Sequence, residues 1–270
     1  MLGIAPSRTM PGFSASLLRW HERRDQKCEG PVVILYADCF TTWSESVIGR
    51  DAVRLLEAFG YQTVMANAGC CGRTACSAGL LDDAARQIAS SARSLHASMK
   101  EHDAIGVLAL EPSCLTSLQQ EWRELITDVP HEVVEEVAAA ASSVEAFLLN
   151  RWDEHPQLPE FLIQEGDLPV HQHCHQKQSG EITAAFLRRC GWPGAVLKDT
   201  GCCGMAGSFG YEVRHESLSR RVAEDSLSCL DGCAGPVAAN GTSCRHQIWD
   251  VKERGSVHPV SLAAERLSSC

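Results

Sequence analysis

Short apolar runs alternate with longer amphipathic stretches along the chain. Val32-Val33-Ile34-Leu35-Tyr36 is the first run, rich in β-branched residues, as expected of a strand buried on both faces. Over residues 47–59, Val47, Val53, Leu56 and Phe59 return at helical spacing and Gly60 closes the segment, which predicts an amphipathic helix. Residues 62–65 predict a second strand, residues 80–99 a long alanine-rich helix, and residues 104–110 a third strand. A connecting region at 115–167 follows, with a helical pattern over 133–149 and a looser stretch around His155-Pro156-Gln157-Leu158-Pro159. The order then returns: strands at 168–171, 195–197 and 236–239, helices at 182–189 and 215–230, and a closing helix at 261–267. Strands alternating with helices predict an α/β fold with parallel sheets.

Cysteines punctuate this pattern. Cys39 follows the first predicted strand, the pair Cys70-Cys71 the second and Cys114 the third. The second half repeats this with Cys174, the pair Cys202-Cys203 and Cys244. Each pair runs straight into glycine, in Gly69-Cys70-Cys71-Gly72 and Gly201-Cys202-Cys203-Gly204, and each last cysteine ends a Ser-Cys dipeptide, Ser113-Cys114 and Ser243-Cys244. The offsets between the copies are 174 − 39 = 135, 202 − 70 = 132 and 244 − 114 = 130, close to half of the 270 residues. An internal duplication accounts for this. In open α/β sheets the carboxyl ends of the strands are where ligands bind. Each set of four thiols should therefore converge at its own sheet edge.

Composition narrows the possibilities. Hydrophobic content of 44% with 21% charged residues is globular. A net charge of −10 argues against a nucleic-acid surface. No apolar stretch reaches the ~18–20 residues that span a bilayer, and no hydrophobic signal core follows Met1. The expectation is a cytoplasmic chain with reduced cysteines, which then serve as metal ligands or redox thiols rather than disulfides. Residues 1–30 read as a docking arm or linker, with a short helix near Leu17-Leu18-Arg19-Trp20; a transit peptide is the alternative. Residues 31–150 form the first repeat with its helical connection, and residues 151–270 the second.

Cys202-Cys203 lies in the loop Asp199-Thr200-Gly201-Cys202-Cys203-Gly204-Met205-Ala206-Gly207-Ser208-Phe209-Gly210-Tyr211, with a glycine at every third position from Gly201 to Gly210. Glycines let backbone approach a bulky group closely. Structural zinc usually shows Cys-x-x-Cys hooks, which the chain lacks, whereas four loop thiolates per site are the usual iron–sulfur complement. Zinc with dispersed ligands stays open as the alternative. The run His171-Gln172-His173-Cys174-His175 reads as histidines that tune the site through hydrogen bonds, with His175 equally a proton donor or second metal ligand. Ser208, Asp231 and His258 occur in hydrolase order, and Gly-Ser-Phe-Gly falls near the nucleophile-elbow pattern, but that reading leaves the duplicated cysteines unexplained. Cys28, Cys190, Cys229, Cys233 and Cys270 have no counterpart in the repeat, and Cys76 is a spare ligand.

The two Cys…Cys-Cys-Gly…Cys units resemble the duplicated cysteine-rich CCG domain of the heterodisulfide reductase B subunit and of iron–sulfur subunits of glycolate, lactate and anaerobic glycerol-3-phosphate dehydrogenases. The similarity is strongest to the C-terminal module of FAD-linked D-lactate and D-2-hydroxyglutarate dehydrogenases. It is carried by Glu111-Pro112-Ser113-Cys114, His173-Cys174-His175-Gln176-Lys177, the 201–211 loop, and Asp231 through Gly241-Thr242-Ser243-Cys244-Arg245-His246-Gln247. Gly3-Ile4-Ala5-Pro6 resembles the linker after the ferredoxin-like part of those proteins. The full motif ends in Cys-x-x-Cys, where this chain has Glu111-x-x-Cys114 and Gly241-x-x-Cys244.

The resemblance implies two α/β halves related by a pseudo-twofold axis and an iron–sulfur cluster of 4Fe-4S type, cubane or non-cubane, with zinc the alternative in one half. Its ligands would be Cys39, Cys70, Cys71 and Cys114 in the first half and Cys174, Cys202, Cys203 and Cys244 in the second. His173, His175, Lys177, Gly207, Ser208 and Arg245 would surround the second set. The implied role is electron transfer in a flavin-dependent 2-hydroxyacid dehydrogenase, alongside an FAD-containing subunit and a ferredoxin-like domain, with peripheral membrane association compatible. A structural docking module and a heterodisulfide-reductase-like thiol redox subunit are the other classes.

Overall fold

A computed structural model describes residues 3–25, 28–125, 128–179 and 181–268; Cys270 lies outside them. The chain divides into two compact units, residues 13–160 and residues 161–270 together with 1–12.

The unit of residues 13–160 carries a four-stranded parallel sheet in the order β2-β1-β3-β4, with β1 at Val32–Tyr36, β2 at Gln62–Ala66, β3 at Val107–Ala109 and β4 at Ala141–Ser143. From Val33 to Tyr36 the central strand β1 is buried throughout, as apolar runs without alternation require. Helix α1 (Leu17–Glu22) inserts Leu17 against Gly49 of α3 (Ser46–Ala58), where any Cβ would fall 2.1 Å from Leu17 Cδ2. Between them lies α2 (Cys39–Trp43). A short α4 (Arg73–Ser77) leads into α5 (Leu81–Glu101), which buries Ala84, Ala85, Ile88, Ala89, Ala92 and Leu95 along one stripe. Burying a side chain of the size of Ile88 or Leu95 contributes about 1.5–3 kcal/mol. Helix α6 (Pro112–Thr116) continues through a π turn at Ser117–Glu121 into α7 (Trp122–Glu124).

The predicted helix over 133–149 is interrupted. Helix α8 (His131–Ala140) stops, β4 pairs parallel with β3, and α9 (Val144–Asn150) restarts, capped by Ser143 Oγ, which accepts from Ala146 N–H at 3.1 Å. The free edge of β3 needed a partner for its backbone groups, a demand that local periodicity does not register.

The second sheet repeats the first. Its order is β6-β5-β7-β8, all parallel, with β5 at Leu168–His171, β6 at Ala195–Lys198, β7 at Val237–Ala239 and β8 at Ser256–Val257. Helices α10 (Ile182–Arg189), α11 (Glu216–Ser226), α12 (Thr242–Lys252) and α13 (Pro259–Glu265) flank it. The α/β class and the two similar halves expected from the sequence are therefore present. Each half has a fourth, short strand that the sequence pattern did not disclose.

Residues 3–12 belong to the second unit. Ala5 N–H donates to Tyr211 O at 2.7 Å and Val213 N–H to Gly3 O at 2.9 Å, so the segment lies beside the end of the glycine-rich loop. Arg8 is buried there, donating to Gln247 Oε1, Asp250 Oδ2 and Ser219 Oγ.

Candidate metal centres

In both units the cysteines emerge at the same steps beyond the strands. Cys39 and Cys174 come three residues after β1 and β5, Cys70 and Cys202 four after β2 and β6, and Cys114 and Cys244 five after β3 and β7. Parallel strands place their carboxyl ends on one edge. The thiols meet there in the same order twice. Cys39 contacts Cys70, Cys70 contacts Cys71, and Cys71 Sγ lies 3.2 Å from Cys114 Sγ. Cys174 contacts Cys202, Cys202 contacts Cys203, and Cys203 contacts Cys244. The structure thus brings all eight predicted ligands into two sets of four. Among the described residues no three His, Cys, Asp or Glu side chains already surround one point as they would a single ion; the sulfurs touch in series.

The shared protons fix the thiol ionisation. Hydrogen bonds from Cys39 and then Cys71 hold the Cys70 thiol far below its ordinary range, and those from Cys174 and Cys203 do the same for Cys202. Cys39 and Cys174 are pushed up by those same contacts and by burial. The last cysteines diverge. Contact with Cys71 lowers Cys114, but burial, Asp38 and Glu111 outweigh it and the net shift is upward. Cys244 is held well below its ordinary range by Cys203, then by His173 and His171.

The Cys-Cys-Gly sequence has a steric reason. Gly72 and Gly204 both sit at positive φ, +82° and +80°, as the chain turns from the thiol pair toward the next helix. A Cβ at Gly72 would lie 2.7 Å from Ile88 Cγ1, and one at Gly204 would lie 2.5 Å from Ser219 O. Gly207, at φ +63°, faces open space. Gly207→Ala is therefore expected to cost only the left-handed strain, about 1–2 kcal/mol. Gly204→Ala should add ~1–3 kcal/mol of overpacking, because a backbone carbonyl cannot swing away. Urea unfolding of the two variants checks the difference, and equal losses would refute it.

Backbone amides support the sulfurs. Gly204 N–H donates to Cys202 Sγ at 3.3 Å, and Met205 N–H reaches Cys203. Gly72 and Arg73 N–H groups do the same for Cys70 and Cys71. The resemblance set Gly207 and Ser208 around the second set instead. Phe209 and Gly210 N–H are engaged inside the loop with Ala206 O and Met205 O, and Gly207 and Ser208 lie exposed at its tip. Lys177 Nζ donates to Thr200 O, and the buried Arg245 guanidinium to Ala239 O, Asn240 O and Thr242 Oγ1. They brace the loops that present Cys202 and Cys244. His175 N–H donates to His173 Nδ1 at 3.1 Å, and the two rings lie 5.2 Å apart.

Several supporting residues escaped the sequence reading. Tyr36 Oη donates to Gly69 O, Ser91 Oγ lies within hydrogen-bonding reach of Ala68 O and Cys70 O, and Ser117 Oγ and Trp122 Nε1 both donate to Cys71 O. Asp38 and Glu111 are buried and cap the helices that begin near Cys39 and Cys114. No helix was predicted at either place; the available start signals were aspartate, a favoured N-cap, at Asp38, and proline at the first turn, Pro112. The hydrolase constellation does not assemble. Ser208 is exposed, Asp231 pairs with Lys252, and His258 Nδ1 accepts from Val260 N–H as the cap of α13.

Comparison with known proteins agrees with this architecture. The model of the cysteine-rich domain family CCG matches residues 33–119, within the first unit; the second unit repeats the topology of the first without being part of that match. Over 278 residues the chain is 23% identical to the C subunit of the anaerobic glycerol-3-phosphate dehydrogenase of Escherichia coli (strain K12), covering 99% of this chain and 68% of that protein. It is 23% identical over 243 residues to D-2-hydroxyglutarate dehydrogenase of Pseudomonas putida and 26% over 255 residues to that of Pantoea ananatis. Each of those matches covers 86% of this chain and 22% of the relative.

Proposed function

We propose that this chain is the iron–sulfur electron-transfer module of a flavin-dependent dehydrogenase acting on a 2-hydroxy acid or a related hydroxylated substrate. The observation that carries the reading is the pair of four-thiol sets, built twice at identical steps beyond equivalent strands. Soft thiolates from loops, with backbone N–H groups aimed at sulfur, are the donor set of iron–sulfur clusters. The residues fit such a group: Cys70 in the first set and Cys202 in the second are already held far below the ordinary thiol range by their neighbours, and the Gly72 and Gly204 N–H groups are aimed at them.

Cys39, Cys70, Cys71 and Cys114 would hold a cluster in the first unit, and Cys174, Cys202, Cys203 and Cys244 in the second, of 4Fe-4S type. Such a group supplies one-electron storage. The protein's own part is to present the sulfurs, to donate N–H groups that spread their charge, and to keep Cys71, Cys203 and Cys244 out of water. An FAD-containing subunit that oxidises the substrate and a ferredoxin-like domain are the partners this reading calls for. The three named relatives are one dehydrogenase subunit and two dehydrogenases.

Anaerobic purification followed by iron, acid-labile sulfide and zinc analysis, with EPR before and after dithionite, tests the reading. The expected protein is brown, carries sulfide in proportion to iron and gives a paramagnetic signal on one-electron reduction or oxidation. A colourless protein with stoichiometric zinc in both units would overturn it in favour of a structural docking module.

A further inference from the structure

The two thiol sites share their backbone but not the residues around it. Counting from the cysteines, Tyr36 in the first unit is matched by His171, Asp38 by His173, Glu111 by Gly241 and Leu115 by Arg245. These four exchanges run in one electrical direction, while beside the cysteine pairs Asn67 is matched by Asp199 and Arg73 by Met205. The first site has two buried carboxyl groups, Asp38 and Glu111, close enough to act on Cys114 and on each other. At the matching places the second site has imidazoles and a guanidinium, and no carboxyl group.

One steric swap ties these differences together. Asp38 accepts from the N–H two residues on, Phe40, at 2.9 Å; His173 Nδ1 accepts from the N–H two residues on, His175. The capping geometry is retained while the charge is not. The larger imidazole finds its space because position 241 has no side chain: a Cβ on Gly241 would lie 2.3 Å from His173 Cδ2 and 3.4 Å from Cys244 Sγ. In the first unit that position is Glu111. The ring of His173 therefore stands beside the last cysteine where the first unit stations an acid. His171, wholly buried on β5, bonds Thr200 Oγ1 through Nδ1 and acts on Cys244 from the other ring edge.

We propose that the two sites have different redox duties, the second unit's site being the electron-accepting, higher-potential one and the first unit's the lower-potential one. This rests on the reading of both thiol sets as iron–sulfur ligands. The potentials of such clusters are set by net charge, hydrogen bonds to sulfur and exposure. An added electron adds one negative charge. Beside the buried carboxyl groups of Asp38 and Glu111 that charge is repelled; at the matching places of the second site, His173 and Gly241, no carboxyl group repels it. A one-electron donor, such as a flavin semiquinone or a reduced viologen, loses one electron and the second site gains it, with no bond formed or broken.

The test is a spectroelectrochemical titration, followed by EPR, of the full chain reconstituted with iron and sulfide. Cys71→Ser and Cys203→Ser assign each transition to its unit. The transition of the second unit should be the higher, and a single transition should vanish in Cys203→Ser and survive in Cys71→Ser. The double variant His173→Asp with Gly241→Glu writes the first unit's acids into the second. It should lower the second transition by about 59 mV or more, a tenfold shift of a one-electron equilibrium. Asp38→Asn with Glu111→Gln, which keeps shape and removes charge, should raise the first transition and leave the second in place. Higher potential in the first unit, or iron-replete variants whose transitions do not move, would overturn the proposal while leaving the iron–sulfur reading intact. Zinc in place of iron in both units would overturn both.

Discussion

Cys203→Ser should lose the iron of the second unit, and should lose more than Cys71→Ser does. Cys203 is 5% exposed and sits third in the series of touching sulfurs, between Cys202 and Cys244. Serine at that place supplies a hydroxyl of far higher pKa, a poor ligand for iron, and breaks the series in the middle. The difference between the units comes from their surroundings. In the second, Cys203 and then His173 and His171 hold the Cys244 thiol well below its ordinary range. In the first, Cys114 is held protonated beside Asp38 and Glu111, so a metal must displace a proton from it. The second site should bind more tightly and contribute the larger share of iron at limiting supply. Iron per chain after anaerobic reconstitution with substoichiometric iron measures this, and a greater loss in Cys71→Ser would refute it.

Arg8→Ala should cost the second unit about 3–5 kcal/mol, the range for removing one partner of a buried ion pair. The Arg8 side chain is 0% exposed and that of Asp250 7%. The guanidinium donates to Gln247 Oε1 at 2.6 Å, Asp250 Oδ2 at 2.9 Å and Ser219 Oγ at 3.0 Å. Truncation leaves a nearly buried carboxylate without this guanidinium and removes a donor from Ser219 Oγ and Gln247. The effect should extend to the metal centre, because Ser219 O is the atom that a side chain at Gly204 would strike. Arg8→Lys should recover only part of the loss, since a point ammonium cannot engage three acceptors in a fork. Urea unfolding of the metal-free protein gives the stability, and a loss within ~0.5 kcal/mol of zero, the size of an ordinary surface change, would refute the role assigned to Arg8.

The family resemblance was legible because the constraints behind it are local. A Cys-Cys-Gly triplet announces a left-handed turn against a helix, and the structure shows why at Gly72 and Gly204. Other local signals misled. The 133–149 stretch has the period of one helix, yet Ala141–Ser143 is a strand because β3 has an edge to cover. Ser208, Asp231 and His258 have a hydrolase's order along the chain, and each is committed elsewhere or exposed.

By itself the sequence determined the α/β class, the duplication and which eight cysteines the strand ends gather into two sets. Strand-forming runs, helical stripes and glycine turns act over a few residues, and a repeat is visible wherever it is copied. Only the tertiary structure decided what stands beside those cysteines. Asp38 and Glu111 are 73 residues apart, and His173 and Gly241 are 68 apart; each pair meets because parallel strands end on a common edge. The electrical character of each site, and the seating of Arg8 against Asp250, arise from through-space contacts that no local period in the chain encodes.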